Sequence, residues 1–385
     1  MSGYPLLRLG VIGGGQLGRM LISAARELGV AVTVLDPDPE AACAEVADEL
    51  IVGGLHDPQA LSRLAAGCDL LTYEIEHTDV TVLSELAEQG TVIRPAPELL
   101  RTIQDKLVQK QHLQDHGVPV PVFETPRSGE SLREAAGRLG YPCVCKSRRG
   151  GYDGRGVIVC RDAAALAAAG LDQGPGGGWF LERYLEGVHE PAVIVARGLD
   201  GAVAVFPPFG TAFHPQRNVC DAVVVPAPLS PEARERAVEI AEAAVRSLAG
   251  VGLFAVELFH TAEGELLVNE IAPRPHNSGH VTIEACATSQ FEQHLRAVCG
   301  LPLGSTRLLS AGAMVNLLAE DCAGGEAVQI EGVREALAVE GVNLHLYGKR
   351  RVRPGRKMGH VTALAETAEE ALYQARRAAA CLRFR

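Results

Sequence analysis

Apolar and polar positions divide the chain into three stretches with different periods. Over residues 6–95, short apolar runs (LLRLGVI, AVTVLD, LIVGG, DLLTYEIE, TVIRP) alternate with amphipathic helical segments such as QLGRMLISAARELG and one beginning near Asp79. Strand–helix alternation of this kind predicts a parallel sheet covered on both faces, and we place the first domain at 1–100. Residues 98–116 read as helices, and Pro119, Pro121 and Pro126 then exclude helix and mark a linker. Beyond them YPCVCKSR, GVIVCRD, WFLERYL, EPAVIVARG, AVAVFPP and DAVVVPAP read as strands. One helix is well marked, with Ser230 as cap and Pro231 at its first position, running to Gly250. GLFAVELFH and ELLVNEI then predict a hairpin around Thr261–Gly264, with His260 facing Glu265 and Glu257 facing Val268. The stretch 101–300 is therefore α+β with antiparallel sheets, and 301–385 is a small β-rich domain with a basic loop and a final helix at about 367–382. The fold class is α/β and α+β, with no internal repeat.

Composition narrows the function classes. The 385 residues carry a formal net charge of −11, with 47% hydrophobic residues. An acidic chain argues against a general nucleic-acid or membrane-surface binder. No uninterrupted apolar stretch is long enough to span a bilayer, and the N-terminus lacks the charged start and small-residue cleavage site of a signal peptide. The ten cysteines are scattered without a CxxC pair, which reads as reduced, mostly buried thiols in a cytoplasmic protein. Alternation puts Cys143 and Cys145 on one face of a strand.

Five clusters could carry chemistry. Gly13-Gly14-Gly15-Gln16-Leu17-Gly18 lies between a strand and a helix, with Asp36 ending the next strand. This dinucleotide fingerprint offers free N–H groups to an anion and makes the domain Rossmann-like. Arg149-Gly150-Gly151-Tyr152-Asp153-Gly154-Arg155-Gly156 joins two strands, and four glycines in seven residues suit a flap over phosphates, with Lys146 supplying charge from the preceding strand. Glu257 and Glu270 are predicted as diagonal neighbours across the hairpin. Two like charges among apolar residues would be expensive without a cation, and Mg²⁺ resolves this. Asn269 points to the other face unless a bulge intervenes. Directly after Glu270, the loop Ala272–His280 carries Arg274, His276, Asn277, Ser278 and His280 and suits anion and proton handling. Finally, Lys349–Lys357 holds six basic residues in nine positions, a phosphate-binding loop in an acidic chain.

Together these clusters resemble the ATP-grasp enzymes, and among them the 5-(carboxyamino)imidazole ribonucleotide synthase family. The resemblance runs through GGGQLGRM, TYEIE, QDKLVQK, GGYDGRG, LERYLEGVHE, VELF, NEIAPRPHNSGH and RPGRKMGH, in order along nearly the whole chain. It implies a central ATP-grasp domain with the nucleotide between two antiparallel sheets. Lys106 and Lys146 would reach ATP, and Gly151, Tyr152, Asp153, Gly154, Arg155, Gly156 and Val157 would form the flap. Glu182, Arg183, Tyr184 and Leu185 would read adenine, largely through backbone groups. Glu190 would accept from ribose hydroxyls, His214 and Asn269 would complete the nucleotide site, and Glu257 and Glu270 would hold Mg²⁺. The 5-aminoimidazole ribonucleotide would lie against Gln16, Leu17, Glu74, Tyr152, Asp153, Arg155 and Arg274, with Lys349 and Arg356 toward its 5′-phosphate. Asp153, near Tyr152, would take a proton from the amine, and Arg274 and His276 would orient bicarbonate. The resemblance also implies a homodimer. His77, Ala212 and Lys106 depart from residues common in relatives. The rival from another class is an NAD-linked oxidoreductase built on the glycine fingerprint. Biotin carboxylase, the formate-using transformylase of the same pathway and a non-catalytic nucleotide-binding scaffold are further alternatives.

Overall fold

The computed structural model describes residues 7–150, 156–171, 178–213, 220–319 and 327–385. The first strands and helices follow the expected alternation: β1 (Arg8–Ile12), α1 (Gln16–Glu27), β2 (Ala31–Asp36), β3 (Glu49–Val52), α2 (Pro58–Gly67), β4 (Leu70–Tyr73) and α3 (Val80–Glu88). The sheet is parallel, in the order β3-β2-β1-β4. Both faces are buried, since Leu9, Val11, Val32 and Val34 pack with α1 on one side and Ile12, Leu35, Leu71 and Tyr73 with α2 and α3 on the other. Each such side chain contributes roughly 1.5–3 kcal/mol by leaving water. TVIRP does not form the predicted strand. It makes a single parallel bridge, Ile93 to Leu71, because Pro95 has no N–H to continue a ladder.

Two helices lead out of this sheet, α4 (Pro97–Gln104) and α5 (Lys106–Asp115). Asp105 separates them and caps α5, accepting from Leu107 N at 3.2 Å. Next come β5 (Phe123–Glu124), α6 (Leu132–Leu139), β6 (Cys143–Ser147), β7 (Val157–Cys160), α7 (Ala163–Ala168) and β8 (Trp179–Arg183), whose strands form an antiparallel sheet β5-β8-β6-β7. Cys143 and Cys145 both face its core, and the nine described cysteines are free thiols.

The second antiparallel sheet is built from β9 (Ala192–Arg197), β10 (Val203–Val205) and, beyond β11 (Gly210–Phe213), β12 (Cys220–Val225) and α8 (Pro231–Leu248), from β13 (Gly252–His260) and β14 (Leu266–Ala272). Its order is β10-β9-β13-β14. Ser230 caps α8 as expected. The short α9 (Thr282–Ala285) and α10 (Gln290–Cys299) follow. Phe291, Leu295 and Val298 of α10 pack into the core of the N-terminal sheet, so the two regions share apolar surface. The chain closes with β15 (Ala311–Leu318), β16 (Ile330–Glu331), α11 (Val333–Leu337), β17 (Val342–Leu346), β18 (Lys357–Ala365), α12 (Ala368–Ala379) and β19 (Arg383–Phe384). A five-stranded sheet, β11-β12-β15-β18-β17, joins strands from either side of residue 300. Among the described residues, no helix is long and apolar enough to cross a membrane.

The hairpin register differs from the sequence expectation. His260 pairs with Leu266 rather than Glu265, Leu258 pairs with Val268, and Glu257 lies directly opposite Glu270. The register shifts between Glu257 and Leu258, leaving Asn269 as the extra residue of a β-bulge. The expected partner of Glu257 is therefore two residues out: one residue comes from the turn, where His260 already pairs with Leu266, and one from the bulge, whose local hydrogen bonding a pattern of period two does not record.

Candidate active site

Two antiparallel sheets, α5 and the loop after β14 enclose a cavity of about 270 Å³. Lys106 projects into it from the start of α5, Lys146 from β6, Val157 from β7, Glu257 from β13, and Asn269 and Glu270 from β14. Glu190, Arg274 and His276 also line it. Nine of the expected nucleotide, metal and bicarbonate residues therefore meet in one space. Gly151, Tyr152, Asp153, Gly154, Arg155 and His214 lie outside the described residues. The stems of the expected flap are described, with Ser147 N donating to Gly156 O at 2.8 Å.

The carboxylates Glu257 and Glu270 face each other in the recess. Burial, then Glu270 and Glu190, push the Glu257 carboxyl well above the usual range. Glu270 goes the other way: against the burial, Lys106 holds it below that range, and the Lys106 ammonium forms an ion pair with Glu270 Oε2. Such a pair has the hard oxygen donors that suit a small divalent ion. The donor set fits Mg²⁺. On Glu257, Oε1 lies 3.2 Å from His276 Nε2. The other ring nitrogen, Nδ1, receives Ser278 N at 3.4 Å and lies 2.7 Å from Ser278 Oγ. These donors on Nδ1 place the proton on Nε2, facing Glu257. Burial, then Arg274 and Lys357, lower the His276 pKa to about 4, so the ring is a neutral hydrogen-bond donor. Gln290 fixes this loop, accepting from His276 N at 2.9 Å and donating to His276 O at 2.7 Å.

Arg274 is clamped by Glu76, with Nη2 donating to Oε1 at 2.8 Å and Nε pairing with Oε2. Against the burial, this guanidinium holds the Glu76 carboxyl down at about 2. Lys146 donates to Asn269 Oδ1 at 2.8 Å and pairs with Glu182 Oε2 at 2.5 Å. The bulge thus turns Asn269 toward the cavity rather than to the opposite face. The Glu182 side chain points into the wall, where Lys110 binds its other oxygen. Next to it, the Arg183 and Tyr184 N–H groups are engaged by Val122 O and Pro142 O.

A second group of expected residues gathers at the start of α1, and here one expectation fails. The loop N–H groups are not free: Glu74 accepts from Gly15 N at 2.5 Å and from Gly18 N at 2.6 Å, and Asp36 accepts from Gly14 N at 2.7 Å. Gly13 turns the chain at φ +98, a conformation open to glycine. A dinucleotide pyrophosphate would have to displace a buried carboxylate, which removes the basis of the oxidoreductase reading. Gln16 and Leu17 open α1 beside Glu74. Lys349 lies close enough for Glu74 to raise its pKa, yet burial, then Arg356, lower it to about 7. Its Nζ donates to Lys357 O at 2.7 Å, and Lys357 lines the cavity, so the basic loop links both groups. Not all of that loop turns inward, since Arg350 and Arg351 reach Glu45 and Glu40 on the surface.

Sequence reading missed Glu76, Lys110 and Gln290, and named Lys357 only as the end of the basic loop. Glu76 sits two residues past Glu74 in TYEIE, and Lys110 lies one turn beyond Lys106 on α5, a spacing that puts both on one face. His280 is structural: it is buried beside His360 and Phe291, its Nδ1 3.0 Å from Gln290 Nε2.

Comparison with known proteins shows the family. The chain matches the ribonucleotide synthetase preATP-grasp domain over residues 6–104, the ATP-grasp domain over 111–291 and the phosphoribosylaminoimidazole carboxylase C-terminal domain over 312–374. It is 40% identical to the N5-carboxyaminoimidazole ribonucleotide synthase of Bacillus subtilis over 95% of this chain and 94% of that one. The crystal structure of N5-carboxyaminoimidazole ribonucleotide synthetase from Thermotoga maritima superposes with a TM-score of 0.88 at 43% identity, covering 98% of this chain and 99% of that one. The synthase of Aspergillus clavatus, in complex with ADP and 5-aminoimidazole ribonucleotide, superposes with a TM-score of 0.85 at 34% identity and 96% coverage of each chain. With matching sequence over nearly its full length, matching fold and the same order of domains, the chain belongs to the N5-carboxyaminoimidazole ribonucleotide synthase family of ATP-grasp ligases.

Proposed function

We propose that the chain converts 5-aminoimidazole ribonucleotide, ATP and bicarbonate into N5-carboxyaminoimidazole ribonucleotide, ADP and phosphate, a carboxylation of purine biosynthesis. The observation that carries this is Glu257 opposite Glu270 in one cavity with Lys106 and Lys146. Bicarbonate is a poor electrophile, because its oxygen is a poor leaving group. Transfer of the γ-phosphoryl group to a bicarbonate oxygen breaks the bond to ADP and gives carboxyphosphate, which separates into CO₂ and phosphate. The exocyclic amine attacks the CO₂ carbon and loses a proton.

The residues divide this work by charge. Lys106 and Lys146 balance negative charge on the triphosphate. Glu257 and Glu270 would hold Mg²⁺, which when bound supplies positive charge to the phosphate oxygens. Arg274, fixed by Glu76, and His276, fixed by Ser278 and Gln290, orient bicarbonate. Asp153 takes the amine proton, the role that the family resemblance implies for it. Lys349 and Arg356 face the ribonucleotide 5′-phosphate, with Glu74, Gln16 and Leu17 alongside. A homodimer in the cytoplasm belongs to the same proposal, and light scattering on the purified chain tests its first half.

ADP release with each substrate omitted in turn tests the reading. Full rate should need both bicarbonate and the ribonucleotide. An equal rate without the ribonucleotide, or with formate in place of bicarbonate, overturns it. In Asp153→Ala, ribonucleotide-dependent ADP release at the parent rate removes the proton-acceptor role.

A further inference from the structure

Lys110 lies behind the cavity wall, 2% exposed, and is not among the residues that line the cavity. Its ammonium pairs with Glu182 Oε1 and approaches the carbonyls of Asn269 at 3.2 Å and Val268 at 3.4 Å. The second oxygen of Glu182 holds Lys146 at 2.5 Å. One carboxylate, 2% exposed, is therefore shared between two ammonium groups, and only Lys146 reaches the cavity.

Charge explains the arrangement. An ammonium as buried as that of Lys146 needs an anionic partner to offset its lost hydration. That partner alone would cancel the charge a phosphate must see. A second cation on the far oxygen restores it: two ammoniums and one carboxylate leave one net positive charge, presented to the cavity by Lys146. The β14 bulge serves both ends, since it turns the Asn269 side chain to Lys146 and backbone carbonyls of Val268 and Asn269 to Lys110.

We propose that Lys110 is a positioning residue for the nucleotide, neutralising Glu182 so that the charge of Lys146 remains available to the triphosphate. This rests on Lys146 being a phosphate-contacting lysine, as in the function proposed above. Binding of ADP and ATP to the full chain, measured by calorimetry in Mg²⁺ buffer with melting curves as the folding control, tests it. Lys110→Met should weaken nucleotide binding about tenfold and leave ribonucleotide binding unchanged. Lys110→Arg keeps the charge and should stay within about threefold of the parent. Adding Glu182→Gln to Lys110→Met returns the net charge to one, and should recover binding to within about threefold of the parent. A structural role for Lys110 predicts no such recovery. The proposal is overturned if Lys110→Met binds within about twofold of the parent, or if the double variant binds no tighter than Lys110→Met. Should Lys110→Met not fold, the double variant decides: recovery supports the proposal, whereas weak binding or failure to fold overturns it. A parent chain that binds neither nucleotide removes the functional reading itself; a parent that binds and a Lys110→Met that matches it removes only this inference.

Discussion

Lys349 holds its ammonium in a recess where burial, then Arg356, bring the pKa to about 7. A phosphate dianion needs that ammonium charged. At pH 6 the group already carries its proton, and at pH 8 it must take one up on binding. Ribonucleotide titrations at pH 8 in buffers of different ionisation heat should therefore show proton uptake that fades at pH 6, and Lys349→Arg should abolish the difference. Binding at pH 8 without uptake contradicts the assignment. Glu76 works in the opposite direction. Its carboxyl stands at about 2 in the fold, against its ordinary 4.5, because Arg274 outweighs the burial. A depressed carboxyl stabilises the fold above its unfolded pKa, and the contribution disappears as pH falls from about 4.5 toward 2. Glu76→Gln should lower stability at pH 7 by about 3 kcal/mol, since it leaves Arg274 unpaired, and should flatten the acid limb of urea midpoints in that window. Unchanged midpoints would show the clamp to be idle.

The glycine turn before α1 is held by Glu74, and its tightness gives a prediction of its own. A Cβ on Gly15 would stand 2.7 Å from Glu74 Oε1. Gly15→Ala should therefore push the carboxylate off the turn and raise the KM for the ribonucleotide about tenfold, with the KM for ATP unchanged. An equal rise in both would place the turn's role in folding instead. The same turn shows what a sequence can and cannot disclose. Strand, glycine loop and helix are written in the spacing of Gly13, Gly15 and Gly18, but that Glu74 occupies the N–H groups of Gly15 and Gly18 depends on β4 lying beside β1, a long-range pairing. The hairpin divides the same way. Apolar residues around Glu257 and Glu270 reveal two strands and two recessed carboxylates, whereas the bulge at Asn269 follows from local hydrogen bonding and shifts the register by one. The resemblance named nine of the residues that line the cavity. It passed over Lys110 and Glu76 because their partners, Glu182 and Arg274, are remote in sequence and their role is to hold another side chain in place.

Across the chain, the cavity is assembled from parts far apart in sequence: α5, the sheet carrying Lys146, the β13–β14 ladder, the Arg274–His276 loop and the basic loop before β18. Shared apolar packing of α10 against the first sheet joins the chain beyond the Arg274–His276 loop to the N-terminal domain. The Lys106–Glu270 ion pair sits where a divalent cation would be held. Glu270→Gln should raise the Mg²⁺ concentration for half-maximal activity about tenfold or more, and chelation of the ion should halt ADP release. An unchanged Mg²⁺ requirement would remove Glu270 from the metal site. The most direct measurement follows oxygen atoms. If bicarbonate attacks the γ-phosphorus of ATP, turnover with ¹⁸O-labelled bicarbonate and ribonucleotide must carry one labelled oxygen into each phosphate released. Label in the phosphate is the expected result; phosphate bearing only solvent or ATP oxygen would contradict the proposed chemistry.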